Sequence, residues 1–310
     1  MLILDQSITS FTTINVDSLY PDFVLATTYN FNDIVTYENY HYKSVTDGNL
    51  GNIPTDNPSL WLKWSVSNPH ACIDLKSGTS TICDATTKTG GASPYDLILE
   101  FDTSRYDTIA LGDVRGTDII IEVFQSSDLV TPVQTITEKI ETRYTVDSWF
   151  NYFYSPLIPD LTEFERNFFY RIQPVVGKVK VTVTEGYGSY SSIGFLNSGK
   201  TEYVADTLFS VGMGIEDYSK KETDEFGDTS LTRRISRDTM DIEIQFESGR
   251  INHVKRLIKR KLGKVVLFIV DESADSGYEN LLLQGYVENY TTVLSNPVQT
   301  QASISISEVR

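Results

Sequence analysis

Met240-Asp-Ile242-Glu-Ile244-Gln-Phe246-Glu-Ser248-Gly-Arg250-Ile251-Asn-His-Val254-Lys-Arg-Leu257-Ile258-Lys-Arg-Lys-Leu262-Gly263-Lys-Val265-Val-Leu-Phe-Ile-Val270 sets three elements side by side. Apolar and polar residues first alternate, the period of a strand with one buried face. Ile251, Val254, Ile258 and Leu262, with Leu257 alongside, then recur at helical spacing, which predicts an amphipathic helix over 250–262. Ser248 is placed to cap it and Gly263 to end it. The unbroken apolar run Val265–Val270 reads as a buried strand.

Outward from this stretch, Leu281–Tyr286 and the alternating Ala302-x-Ile304-x-Ile306 add strands behind the helix, and Asn197-Ser198-Gly199 reads as a hinge in front. Residues 196–310 therefore form one segment, a β-sandwich with one flanking helix. Residues 67–195 form a second. Tyr95–Phe101, Tyr106–Leu111, Asp118–Phe124 and Val175–Val183 are strand candidates whose turn-separated spacing predicts a β-sandwich or jelly roll. Asp147-Ser-Trp149-Phe150-Asn-Tyr152-Phe153-Tyr154 is densely aromatic and reads as a core corner or a subunit interface. Residues 1–66 hold a lead-in and a small module. Val35/Tyr37 and Tyr40/Tyr42 suggest two short strands with Asn39 at the turn, followed by a polar loop and Trp61-Leu-Lys-Trp64. The fold class expected is mainly all-β.

The first module resembles the three-stranded chitin-binding type of carbohydrate-binding module (families 5 and 12). Tyr29, Asp33, Val35, Tyr37, Tyr42 and Trp61 fall in that pattern, with Asn32 and Asn39 where it has glycines. The resemblance implies a sugar-stacking platform at Tyr37, Tyr42, Trp61 and Trp64. A module this small also needs large rings for its own core, and that reading competes with the first. The second segment resembles galactose-binding-like jelly rolls on pattern alone. The third resembles the tail-tube and distal-tail type of domain. Residues 214–229 resemble a segment recurrent in bacteriophage virion proteins, which carry the same module and the Asp-x-Trp-Phe-x-Tyr-Phe run upstream.

Composition bounds the function. A net charge of −16 repels phosphate backbones and argues against a dedicated nucleic-acid binder, leaving DNA at most as passing cargo. No apolar run is long enough to span a bilayer, and Met1–Gln6 lacks the basic start of a secretory signal, so synthesis in the host cytoplasm is expected. Cys72 and Cys83 match no zinc motif; two free thiols and a single disulfide are both open. His41, His70 and His253 are scattered. No nucleophile elbow, zinc-protease helix or phosphate loop occurs, so neither an enzyme nor a cofactor is expected.

The cations of the helix, Arg250, Lys255, Arg256, Lys259, Arg260 and Lys261, with Lys264 beyond, suit three partners: carboxylates of a neighbouring subunit, solvent, or DNA. Phe226, in an acidic loop without calcium-loop spacing, is a candidate insertion into a neighbour. The resemblance implies a structural protein of a phage tail, in the virion, forming a homo-oligomeric ring (tube, adaptor or tip) with other tail proteins. The alternative is an adhesin that grips host surface glycans, with a tail depolymerase a distant third.

Overall fold

The computed structural model describes the chain except residues 76–78, 127, 141–148, 155–165, 187–188, 224–228, 271–280, 295–296 and 310. Strands take 55% of it and helices 9%, which makes the protein all-β with one substantial helix. It divides into two compact units, Met1–Ser7 with Asn197–Arg310, and Ile8–Leu196. The first seven residues, read above as a lead-in, thus group with the C-terminal segment. The cause is pairing: Leu2–Leu4 lies antiparallel between Thr201–Tyr203 and Val266–Ile269.

That unit is a seven-stranded sheet in the order 201–203, 2–4, 266–269, 282–293, 299–308, 236–247, 206–217. Where the sequence suggests two strand layers, the strands join one sheet, and the helix Ile251–Lys261 supplies the second layer. Alternation does the sorting. Met240, Ile242, Ile244 and Phe246 turn inward with Ala302, Ile304 and Ile306, and Val254, Leu257 and Ile258 of the helix close over them. Asp241, Glu243 and Glu247 turn outward.

The helix entry differs from expectation. The chain leaves its strand through a 3₁₀ turn, Ser248–Arg250, and Arg250 occupies the cap position without a side-chain cap bond. That turn sets Ser248 a step too early to cap, and its hydroxyl instead meets Thr300 Oγ1 at 2.8 Å. The helix ends at Lys261, and Gly263, at φ +74°, reverses the chain into the next strand.

Asn197–Gly199 follows the step from Leu196 to Asn197 at which the chain passes from one unit to the other. The three residues are buried in the strand Phe195–Gly199, where the Ser198 carbonyl accepts from the Ser7 amide at 3.1 Å. Gly199 serves close approach, since a Cβ there would lie 2.6 Å from the Asp5 carbonyl oxygen.

In Ile8–Leu196, a five-stranded sheet runs 134–139, 118–125, 176–183, 97–104, 13–14, and a three-stranded one runs 166–171, 108–114, 195–199. Leu97, Leu99, Phe101, Ile119, Ile121, Val179 and Val181 of the first share one core with Ile109, Leu111 and Leu196 of the second. The sandwich expected from the strand spacing is therefore present. On its outer face Lys178–Glu100 and Lys180–Glu122 pair across strands. The small module is a three-stranded sheet, Ile34–Tyr37, Tyr40–Ser44 and Trp61–Val66, with its own aromatic core. Its hairpin places the left-handed residue at Glu38, φ +54°, and not at Asn39, because in this two-residue loop the first position carries the positive φ. Asn32, at φ +73°, does meet its glycine-like demand.

Ile3 is fully buried in the second strand of the C-terminal sheet, paired on both sides. Ile3→Ala is expected to cost about 2–5 kcal/mol, read as a lower urea midpoint and as faster amide exchange in Leu267–Ile269.

Candidate functional site

The four aromatics of the proposed sugar platform do not share a surface. Trp61 is 2% exposed, and its ring meets Tyr29 and Phe23 edge-on at 5.3 and 5.8 Å while Nε1 donates to the Asn52 carbonyl at 2.9 Å. Tyr42 is buried and Tyr37 half-buried against the same cluster. Three of the four rings thus build the module's core, as a sheet of this size requires. Trp64 alone is on the surface, 54% exposed, with Leu62 exposed near it and the Lys43 ammonium 4.9 Å from its ring centre.

Two histidines pack among polar partners, His41 buried in the strand Tyr40–Ser44 and His70 half-buried in the 3₁₀ turn Asn68–Ile73. His41 is 2% exposed; Nδ1 shares a 3.0 Å hydrogen bond with Thr36 Oγ1, the Tyr20 ring stands edge-on at 4.8 Å, and Nε2 is buried without a partner. His70 Nδ1 shares one with Ser67 Oγ at 3.1 Å. Burial pushes both imidazoles below the ordinary 6.5.

The basic helix splits into two sets. Lys261 is buried, 2.5 Å from Asp5 and 3.1 Å from Glu202, and Arg260 reaches Glu202 at 3.7 Å. Arg250 lies over the Tyr203 ring at 5.6 Å. Lys261 thus ties the helix to its own sheet, while Arg250 and the exposed Arg260 make looser contacts with it. Lys255, Arg256, Lys259 and Lys264 are exposed, Arg256 donating to the Asn252 carbonyl at 3.2 Å. Phe226 lies outside the described residues, as does the polar loop at Asp271, Glu272 and Asp275.

The aromatic run folds as a short helix, Trp149–Tyr154, whose Trp149, Phe153 and Tyr154 are 79%, 65% and 74% exposed, so these rings are no corner of the core. Both cysteines are free and buried in the sandwich core. Desolvation raises the Cys72 thiol to about 12 and Cys83 to about 11, which makes both poor nucleophiles. Among the described residues no group of His, Cys, Asp or Glu is gathered to hold a metal ion. No described helix is long and apolar enough to cross a membrane.

Sequence reasoning missed a different surface. The strands Asp206–Asp217 and Ser236–Glu247 run past the neighbouring strand Gln299–Glu308, so that residues 215–217 and 236–238 form a two-stranded end; the hairpin Lys220–Thr223 with Thr229–Thr232, a separate two-stranded sheet, follows it, and together they make an arm. Val211 is half-buried, but the same inward row runs on to Met213 at 57% and Ile215 at 74% exposed. Leu231 and Ile235 are 70% and 65% exposed. The signal was legible as apolar residues too sparse, over 212–236, to cover any face. Compared with protein-family models, curated proteins and solved structures, the chain matches none of them.

The two depressed histidines set a pH dependence. Below about 6.5 the unfolded chain takes up protons that buried His41 and His70 resist, so stability is present above that pH and is lost as pH falls through it. The urea midpoint is expected to drop between pH 7.5 and 5.5. The double variant His41→Gln, His70→Gln is expected to flatten that drop, because the carboxylates lowered in the folded state, such as Asp84, titrate only at more acidic pH.

Proposed function

We propose that the chain is a structural subunit of a bacteriophage tail, assembling with copies of itself into a ring and meeting other tail proteins there. The single observation carrying this reading is the arm. A two-stranded ribbon exposed on both faces is marginal in water, yet this one carries exposed Ile215, Leu231 and Ile235, and Met213 is exposed on the edge strand that leads into it. A surface of that kind is built to be covered by another protein. The resemblance of residues 214–229 to recurrent virion-protein sequence supplies the context. The buried thiols and the chain-internal pairing of Lys261 support a role in architecture over chemistry. Full-length protein is expected to sediment as a discrete oligomer and to give ring-shaped particles in negative stain. A chain that remains monomeric at every concentration would sink the proposal.

A second reading has one observation in its favour, the exposed Trp64 with its Lys43 neighbour: a weak glycan-gripping patch on the small module. On that reading Trp64→Ala abolishes binding of host-surface polysaccharide by the purified chain without lowering its thermal stability. Equal binding by the variant, or none by the parent, removes it.

A further inference from the structure

We propose that residues 18–23 form an acid-released strap along the edge of the small module, with His41 as its latch. The device stands whether or not the chain assembles. The strand Ile34–Tyr37 ends the three-stranded sheet, and the side turned away from Tyr40–Ser44 pairs with no strand among the described residues. The chain ahead of the module lies there instead. The Phe23 amide donates to the Thr36 carbonyl and the Thr36 amide to the Pro21 carbonyl, both at 2.8 Å, and Asp22 bridges Thr36 in parallel. An edge covered in this way is closed to foreign strands.

The Thr36 side chain supplies the rest of the hold. Its hydroxyl donates to the Tyr20 carbonyl at 2.9 Å and shares a further hydrogen bond with Ser18 Oγ. The same oxygen meets His41 Nδ1 at 3.0 Å, and the Tyr20 ring stands edge-on to the imidazole at 4.8 Å. His41 thus touches both groups that hold the strap. It is 2% exposed, and its Nε2 is buried without a partner.

A neutral imidazole has one N–H; an imidazolium has two. Thr36 Oγ1 can receive one of them, and the other would be a buried charged donor with nothing to accept it. The residues facing the ring offer no counter-charge. Thr36 and Ser65 stand opposite it in the neighbouring strands, with Tyr20 and Ser18 on the strap. Asp22 on the strap and Glu38 in the hairpin turn are exposed. Lys43 and Lys63, the cations of the sheet, lie over Trp64 and Tyr40 and add only like charge. Lifting the strap wets the ring with the least disruption. It breaks the two backbone bonds at Thr36, whereas opening the sheet would part Tyr40–Ser44 from a strand on either side. The strap also buries little, since Leu19 is 61% exposed and Pro21 and Asp22 are exposed. Burial holds the imidazole below its ordinary 6.5, so the hold is complete above that pH and weakens as pH falls below it.

The test follows hydrogen exchange at single amides of the full-length chain from pH 7.5 to 4.5, corrected for the intrinsic effect of pH on exchange. Protection of the Phe23 and Thr36 amides is expected to fall by up to about tenfold for each pH unit below 6.5. The amides joining Tyr40–Ser44 to Trp61–Val66 are expected to stay protected. His41→Asn keeps a donor for Thr36 Oγ1 but has no titrating ring, and is expected to hold the strap throughout. His70→Gln is expected to release it as the parent does. The parent's His41 ring nitrogens, followed in the same samples, are expected to show protonation as the strap opens, a readout that needs no variant. Phe23 and Thr36 amides that stay protected, or that open while the His41 ring remains neutral, overturn the proposal. So does a release that takes the whole sheet with it, or one that persists in His41→Asn.

Discussion

Leu2, Ile3 and Leu4 are held on both edges by backbone hydrogen bonds, to Thr201–Tyr203 on one side and Val266–Ile269 on the other. Burying such side chains gains about 1.5–3 kcal/mol each, while fixing the backbone costs about 1–2 kcal/mol per residue. The surplus is small, and a three-residue strand at a sheet edge would fray. Two paired edges alter that balance, and so does Lys261. Its buried ammonium joins Asp5, just after the strand, to Glu202 in the neighbouring strand, from the last turn of the helix. An isolated buried ammonium costs several kcal/mol. Here two carboxylates that keep partial access to water offset that cost and tie three elements at one point.

The rest of this unit follows from that tie. With the helix end fixed to the strands at residues 2–4 and 201–203, the apolar face of Val254, Leu257 and Ile258 lies over the inward row of the 236–247 and 299–308 strands. The helix covers only part of the sheet, so the row Val211, Met213, Ile215 runs out from under it. The arm is thus the same alternating strand as the core, continued past its cover.

Much of this was legible. Period-two alternation at 97–101, 118–124 and 240–246 marks strands because only one face of each is wet, and the three-four spacing of 251–262 marks the helix for the same reason. Alternation tells which side chains share a face, but not whether anything covers it. Trp61 and Trp64 therefore looked like one platform when one is the core and the other the surface. Pairing was not legible at all. Met1–Leu4 is a short apolar run, and nothing in it names partners some two hundred residues away. The misplaced cap at Ser248 and the turn at Glu38 are smaller cases in which a neighbouring strand, or the hairpin's own geometry, overrode local preference.

The strand Leu2–Leu4 also imposes an order in time. Its partner Val266–Ile269 is made more than 250 residues after it. At about 5–20 residues per second that is a wait on the order of 10–50 s. All of Ile8–Leu196 is made before either partner of that strand, with time to fold first, and Thr201–Tyr203 then comes sooner than Val266–Ile269. The last sheet then closes by a contact of very long sequence separation, the kind that folds slowly. Nascent chains crowded on one message would each display the same unpaired strand, so the step most exposed to mispairing comes before the sheet is complete.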